Sequence, residues 1–181
     1  MGSKSIKRVI LTGAPSTGKT AVLEQIKNLG FSSYPEIARQ VIKDSLNQNS
    51  NVVPWLKLLD FSEVVAQKQL QQHNLAQNGW SFFDRGLPDV IAYLQKGNTQ
   101  TTSAINAYLK QVNYHTTVFL FPIWEEIYFN DQERIEPLKD ALLIQEHLIK
   151  TYTNLNYNIV IVPKLAVMDR CNFILKTLRI D

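Results

Sequence analysis

The feature that most constrains this chain lies near its start: Gly13-Ala14-Pro15-Ser16-Thr17-Gly18-Lys19-Thr20 satisfies the pattern G-x-x-x-x-G-K-[ST]. An apolar run, Val9-Ile10-Leu11, leads into it, and helically spaced Ala21, Val22, Ile26 and Leu29 follow it. A strand that turns through glycines into a helix aims successive backbone N–H groups at one point, beside the positive end of the helix dipole. That arrangement suits phosphate oxygens. Lys19 can reach β- and γ-phosphates, and the Thr20 hydroxyl can ligate magnesium. All eight residues are therefore candidates for holding a nucleoside triphosphate, ATP or GTP, with Mg2+. No Asn-Lys-x-Asp base-reading motif is present, which favours ATP.

The rest of the chain alternates between periods of two and of helical spacing. Strands are expected at residues 7–12, 31–35, 80–83, 116–121 and 159–162. Helices are expected after the phosphate loop, from Glu36, from Pro54, around residues 88–94 and 103–112, over 138–156 and over 167–178. Pro54 reads as the first residue of its helix. Trp55, Leu58, Leu59, Val65, Ala66 and Leu70 read as that helix's buried stripe, and the Gln-rich stretch 67–78 as its wet face. Residues 122–137 mix Trp124, five acids and Arg134 without periodicity and read as a mobile flap contributing little core. Leu138, Ala141, Leu142, Leu148, Ile149, Tyr152 and Leu155 read as one face of the long helix. Alternating strands and helices imply a three-layer α/β/α sandwich with a mostly parallel five-stranded sheet, whose ligands bind at the carboxyl ends of the strands. No linker or repeat divides the chain, so residues 1–181 are expected to form one nucleotide-binding domain.

With 181 residues, 45% of them hydrophobic and 19% charged, the composition suits a globular core rather than disorder. The net charge of +3 comes from scattered lysines and arginines, so no nucleic-acid groove is expected. A lone cysteine, Cys171, excludes an internal disulfide and a cysteine zinc site. Neither a signal peptide nor an apolar stretch of bilayer-spanning length is visible. A cytoplasmic setting is the expectation.

Charged residues placed just after strands are the remaining site candidates. Asp84, in Phe82-Phe83-Asp84-Arg85-Gly86, can hold magnesium or take the proton of an attacking hydroxyl, and Arg85 can clamp a phosphate. The alternative is a turn Asp beside a surface Arg. Glu36 can serve as general base, or merely open its helix and pair with Arg39. Arg134 can close over a γ-phosphate, or pair with Asp131 or Glu133. Arg170 can stack on a nucleotide base, although a surface pair with Asp169 is the plainer expectation. His73, His115 and His147 show no metal spacing, and Trp55 and Trp80 are expected in the core.

Together these motifs resemble small P-loop domains, among them the ribosylnicotinamide kinase domain of bacterial NAD regulators and related small AAA-labelled ATPases. The resemblance rests on the loop Gly13 to Thr20, Glu36 with Arg39, Asp84-Arg85-Gly86, Asp131 with Arg134, and Arg170, and it covers nearly the whole chain. It implies the sheet order 2-3-1-4-5 and phosphoryl transfer from ATP to a small hydroxyl-bearing substrate. Lys19, Asp84, Glu36, Arg85 and Arg134 would then be catalytic, and Thr20 with Asp84 would hold the metal. The DNA-binding and adenylyltransferase regions of the NAD regulators have no counterpart, nor do the helical second domain and hexamer-forming arginine of ring ATPases. Those activities are not carried over. Two other expectations from different classes stand beside the kinase: a nucleotide switch that signals to a partner, and a phospholipid-responsive GTP-binding module resembling some animal relatives.

Overall fold

A computed structural model describes residues 6–77, 79–124 and 138–180. Among these residues five strands, β1 (Ile6–Thr12), β2 (Ser32–Tyr34), β3 (Gly79–Asp84), β4 (Thr117–Leu120) and β5 (Asn158–Ile161), form one sheet. The sheet is entirely parallel, in the order β2-β3-β1-β4-β5. Among the described residues seven helices connect and cover it: α1 (Lys19–Asn28), α2 (Ile37–Asn47), α3 (Leu58–Asn74), α4 (Leu87–Lys96), α5 (Ser103–Leu109), α6 (Leu138–Asn154) and α7 (Val167–Thr177).

Alternation along the central strands decides which layer each helix joins. Val9, Leu11, Phe82 and Phe119 point to one face and pack with Val22, Leu23, Ile26, Cys171 and Ile174 of α1 and α7. Ile10, Phe83 and Val118 point to the other, against Ala92 of α4 and Ala141, Ile144, Leu148 and Tyr152 of α6. With both faces covered, the central strands read as apolar runs, as parallel sheets require. Phe82 and Phe83 are fully buried, each stabilising the fold by about 1.5–3 kcal/mol. A satellite core of Val41, Phe61, Val65, Leu87, Leu94 and Ile105 ties α2, α3 and α5 to α4. The end of α1 is closed as its spacing predicts: Phe31 N donates to Ile26 O at 3.3 Å and Gly30 N to Lys27 O at 2.9 Å.

The structure corrects five expectations. The third helix begins at Leu58, not Pro54, because residues 53–57 turn instead, with Lys57 N donating to Val53 O at 2.9 Å. Val53 takes the buried place expected of Trp55, which is 63% exposed. The Gln-rich face is not uniformly wet: Gln69, Gln72 and His73 are buried, and Gln72 Nε2 donates to Pro35 O at 2.8 Å. Glutamine can enter a helix–sheet seam when a backbone carbonyl is there to accept from it. On α6 the buried stripe is Ala141, Ile144, Leu148, Thr151 and Tyr152, while Leu138, Leu142 and Ile149 stay on its exposed flank. Finally, Ile123, at the start of the expected flap, is buried and its N donates to Gln145 Oε1 at 3.0 Å. Residues 125–137, and with them Asp131 and Arg134, lie outside the described residues.

Candidate active site

Register places the site. Leu11 on β1 lies opposite Asp84 on β3, and Arg85 N extends that ladder by donating to Leu11 O at 2.9 Å. The phosphate loop therefore leaves β1 beside the Asp84-Arg85-Gly86 turn. On its other flank Phe121 N donates to Thr12 O at 2.8 Å. Gly13 has φ 144°, and a side chain there would strike the Phe121 carbonyl. Gly18 has φ 80°, and a Cβ there would lie 2.7 Å from Arg170 Nη1. Gly13 needs glycine on conformation and on space, Gly18 on conformation.

Lys19 is buried and curls back over its own loop, Nζ donating to Ala14 O at 2.8 Å, Gly13 O at 3.1 Å and Thr17 Oγ1 at 3.3 Å. Burial, with the Arg85 charge nearby, lowers its pKa to about 8, against the pull of Asp84, Glu36 and Asp89. Pro15 and Ser16 complete the loop, Ser16 in the left-handed region at φ 59°.

Asp84 is buried at the tip of β3. The Thr20 hydroxyl donates to its Oδ2 at 3.3 Å, while Oδ1 is buried without a hydrogen-bond partner. Burial pushes the Asp84 carboxyl above its usual range; Lys19 and Arg85 oppose this, and Glu36 and Asp89 add to it. An orphaned hard oxygen beside a threonine hydroxyl fits Mg2+, which is usually held by one or two protein oxygens together with phosphates and water.

Arg85 does not stand at the surface. It is 4% exposed, in the left-handed region at φ 72°, and donates from Nη1 to Gly13 O at 2.8 Å and Asp89 Oδ1 at 3.3 Å, and from Nε to Glu36 Oε1 at 3.1 Å. Glu36 thus pairs across the site with Arg85, where the sequence suggested its helix neighbour Arg39. Burial alone would raise the Glu36 carboxyl, but Arg85, Lys19 and Arg39 hold it below its ordinary value.

Arg170 overturns the plainer expectation. Asp169 is exposed, whereas Arg170 is buried, with Nη1 donating to Thr17 O at 3.4 Å and Nε unpartnered. Its guanidinium lies 5.7 Å from the Trp124 ring centroid and 6.0 Å from that of Phe121. Among the described residues no ion pair involves it.

Asp89 escaped the sequence reading. It is fully buried, and it accepts from Thr12 Oγ1 and Tyr152 Oη at 2.6 Å each, Gly86 N at 3.0 Å and Arg85 Nη1. The available signal was its place three residues after Gly86 at the start of α4, where an acid can cap the helix. Two cavities, of about 320 and 250 Å³, lie between α2, α3 and α5 and are lined by none of these residues.

The family described as an AAA domain matches residues 8–170, from the start of β1 to Arg170. The chain belongs to that family. No curated protein matches the sequence of this AAA-domain protein. Among solved structures it resembles NadR in complex with NR, at TM-score 0.70 and 13% identity, over 96% of this chain and 50% of NadR. It also resembles deoxyadenosine kinase from M. mycoides, at TM-score 0.65 and 14% identity, over 95% of this chain and 98% of the kinase. Shikimate kinase from Acinetobacter baumannii follows at TM-score 0.57 and 13% identity, over 97% and 94%. At such identities the likeness establishes architecture: this AAA-domain protein shares the fold of NadR and of these P-loop kinases.

Proposed function

We propose that residues 1–181 act as one domain, a cytoplasmic kinase that passes the γ-phosphoryl of ATP, or of GTP, to a hydroxyl of a nucleoside-like or ribosylnicotinamide-like substrate. The observation that carries this reading is the meeting of Lys19, Thr20 and Asp84 at the ends of β1 and β3, where Asp84 keeps a buried oxygen with no protein partner. The loop Gly13, Ala14, Pro15, Ser16, Thr17, Gly18, Lys19 and Thr20 holds the phosphates, with Lys19 leaving its carbonyl acceptors for phosphate oxygens. Thr20 and Asp84 hold Mg2+, which neutralises charge on the transferring group.

Asp84 at the tip of β3, or Glu36 beside Arg85, takes the acceptor's proton, and the other orients the acceptor. Arg85 fixes the loop from behind, and Arg134 supplies a charge to the γ-phosphate from the segment after Trp124. Arg170, a buried cation between the loop and two aromatic rings, meets the base. Among the described residues no helix is long and apolar enough to cross a membrane, and a buried free thiol at Cys171 suits a reducing compartment.

The test is to incubate the protein with Mg2+ and ATP or GTP against a panel of ribosylnicotinamide and common nucleosides, and to follow phosphorylated product. Transfer to one of them is expected. Nucleotide binding without any phosphorylated acceptor, together with nucleotide-dependent capture of a protein partner, would replace the kinase with a switch.

A further inference from the structure

We infer that Asp89 is a positioning residue for the phosphate loop: with Thr12, Tyr152 and the Gly86 amide it sets the place of Arg85, and through Arg85 the Gly13 carbonyl and the Glu36 carboxylate. The inference rests on the nucleotide-binding reading above and goes beyond it in assigning residues of the fold's interior to that site.

A carboxylate offers about four acceptor sites. Asp89 uses all of them, on donors from separate segments: Thr12 at the end of β1 and Arg85 on Oδ1, Gly86 in the turn after β3 and Tyr152 on α6 on Oδ2. Fully buried and fully bonded, it has nothing left to take a proton or a metal, so any part it plays runs through its neighbours.

Arg85 is the neighbour that matters. Its backbone sits at φ 72°, a conformation costing about 1 kcal/mol or more that persists only where the surroundings over-determine it. Asp89 and Glu36 supply that determination from two sides. The Gly13 carbonyl then accepts from both Arg85 and Lys19, so the first glycine of the loop is held between two cations. With Asp84, Glu36 and Asp89 facing them, two cations and three carboxylates share one cluster. Removing the Asp89 charge leaves Arg85 short of a partner and free to pull away from Gly13, and a shift of about 1 Å in such a site can cost on the order of 10²-fold in rate.

The experiment compares Asp89→Asn, Arg85→Lys, the double variant, Tyr152→Phe and Thr12→Val in the full chain. Two readouts are used: ATP affinity with kcat and KM, and hydrogen exchange of the loop amides in the nucleotide-free protein. Asp89→Asn should speed exchange at the loop and lower kcat on the order of 10²-fold, with the acceptor KM changed less. The double variant should be no worse than the poorer single one, the mark of residues acting in series. Additive losses would assign Asp89 to stability alone and overturn the inference. If Asp89→Asn does not fold, Tyr152→Phe and Thr12→Val, which each delete one hydrogen bond worth about 1 kcal/mol, should still speed loop exchange and weaken ATP binding several-fold. Unchanged loop exchange in both overturns it. Should the wild type bind no nucleotide, the kinase reading fails, and loop exchange alone still decides the place of Asp89.

Discussion

The two ends of the phosphate loop are built from opposite materials. Beside β3 the loop meets a dense set of charges, Asp84, Arg85, Asp89 and Lys19 buried and Glu36 half-buried, most of them hydrogen-bonded to one another or to backbone. Beside β4 and β5 it meets a single buried cation, Arg170, set against Trp124 and Phe121 with no carboxylate partner among the described residues. Paired charges at low dielectric hold geometry and manage protons, and such an arrangement suits phosphoryl chemistry. A guanidinium among rings offers a stacking surface and little else. On the proposed reading, the contrast divides the site into a half for phosphates and a half for the base.

The sharpest way to break that division is through Lys19. Lys19→Ala should weaken ATP on the order of 10²-fold or more while changing thermal stability little, because relief of the buried ammonium offsets the loss of its hydrogen bonds to Gly13 O and Ala14 O. Affinity measured by calorimetry beside a thermal melt checks both. Equal binding by the variant would show that the charged half does not hold phosphate. Next in size is Asp84→Asn, which keeps shape and removes charge. Phosphoryl transfer should fall on the order of 10²-fold with ATP affinity changed far less. If transfer survives this change and is lost in Glu36→Gln, the base moves across the Arg85 pair to Glu36, within the same half.

The pH dependence separates the halves without mutation. Lys19 sits in the folded protein at about 8, below its ordinary value near 10.5, so the unfolded chain binds more protons in that window. Stability should therefore rise as pH climbs from about 8 toward 10.5, since the cost of burying the ammonium is relieved. ATP affinity should move the other way, because a neutral Lys19 attracts phosphate less, and binding near pH 8–9 should take up protons. Melts and calorimetry in buffers of different ionisation enthalpy read both slopes. Parallel slopes would contradict a phosphate role for this lysine. The smallest effect belongs to the other half: Arg170→Lys, which keeps charge and loses the planar face, should weaken ATP about tenfold or less, on the order of 1 kcal/mol. Inorganic triphosphate should not notice the change. A variant that loses both ligands equally would make Arg170 part of the phosphate half.

Much of the fold is legible because its signals are local. Gly13 and Gly18 with Lys19 mark the loop, and apolar runs such as Val9-Ile10-Leu11 and Phe82-Phe83 mark strands buried on both faces. The errors came where a residue's environment depends on a distant element. Trp55 fits a helical stripe by spacing, yet Val53 turns in first and leaves the indole outside. Gln72 reads as surface until Pro35 O, far off in the chain, is found to accept from it.

The site divides the same way. Sequence alone determined that a strand, a glycine turn and a helix would meet in a loop of the kind that suits phosphate, since the residue types at Gly13, Gly18, Lys19 and Thr20 fix backbone geometry and donors within eight positions. It also marked Asp84, Arg85, Glu36 and Arg170 as polar residues following strands. Only the tertiary structure decided their partners. Parallel register sets Asp84 beside Leu11 and brings Arg85 under Gly13, and packing of α6 on α4 delivers Tyr152 to Asp89. A parallel sheet joins strands through long crossovers, so side chains 49 to 153 positions apart become hydrogen-bonded neighbours, and no local pattern of residues encodes such a meeting.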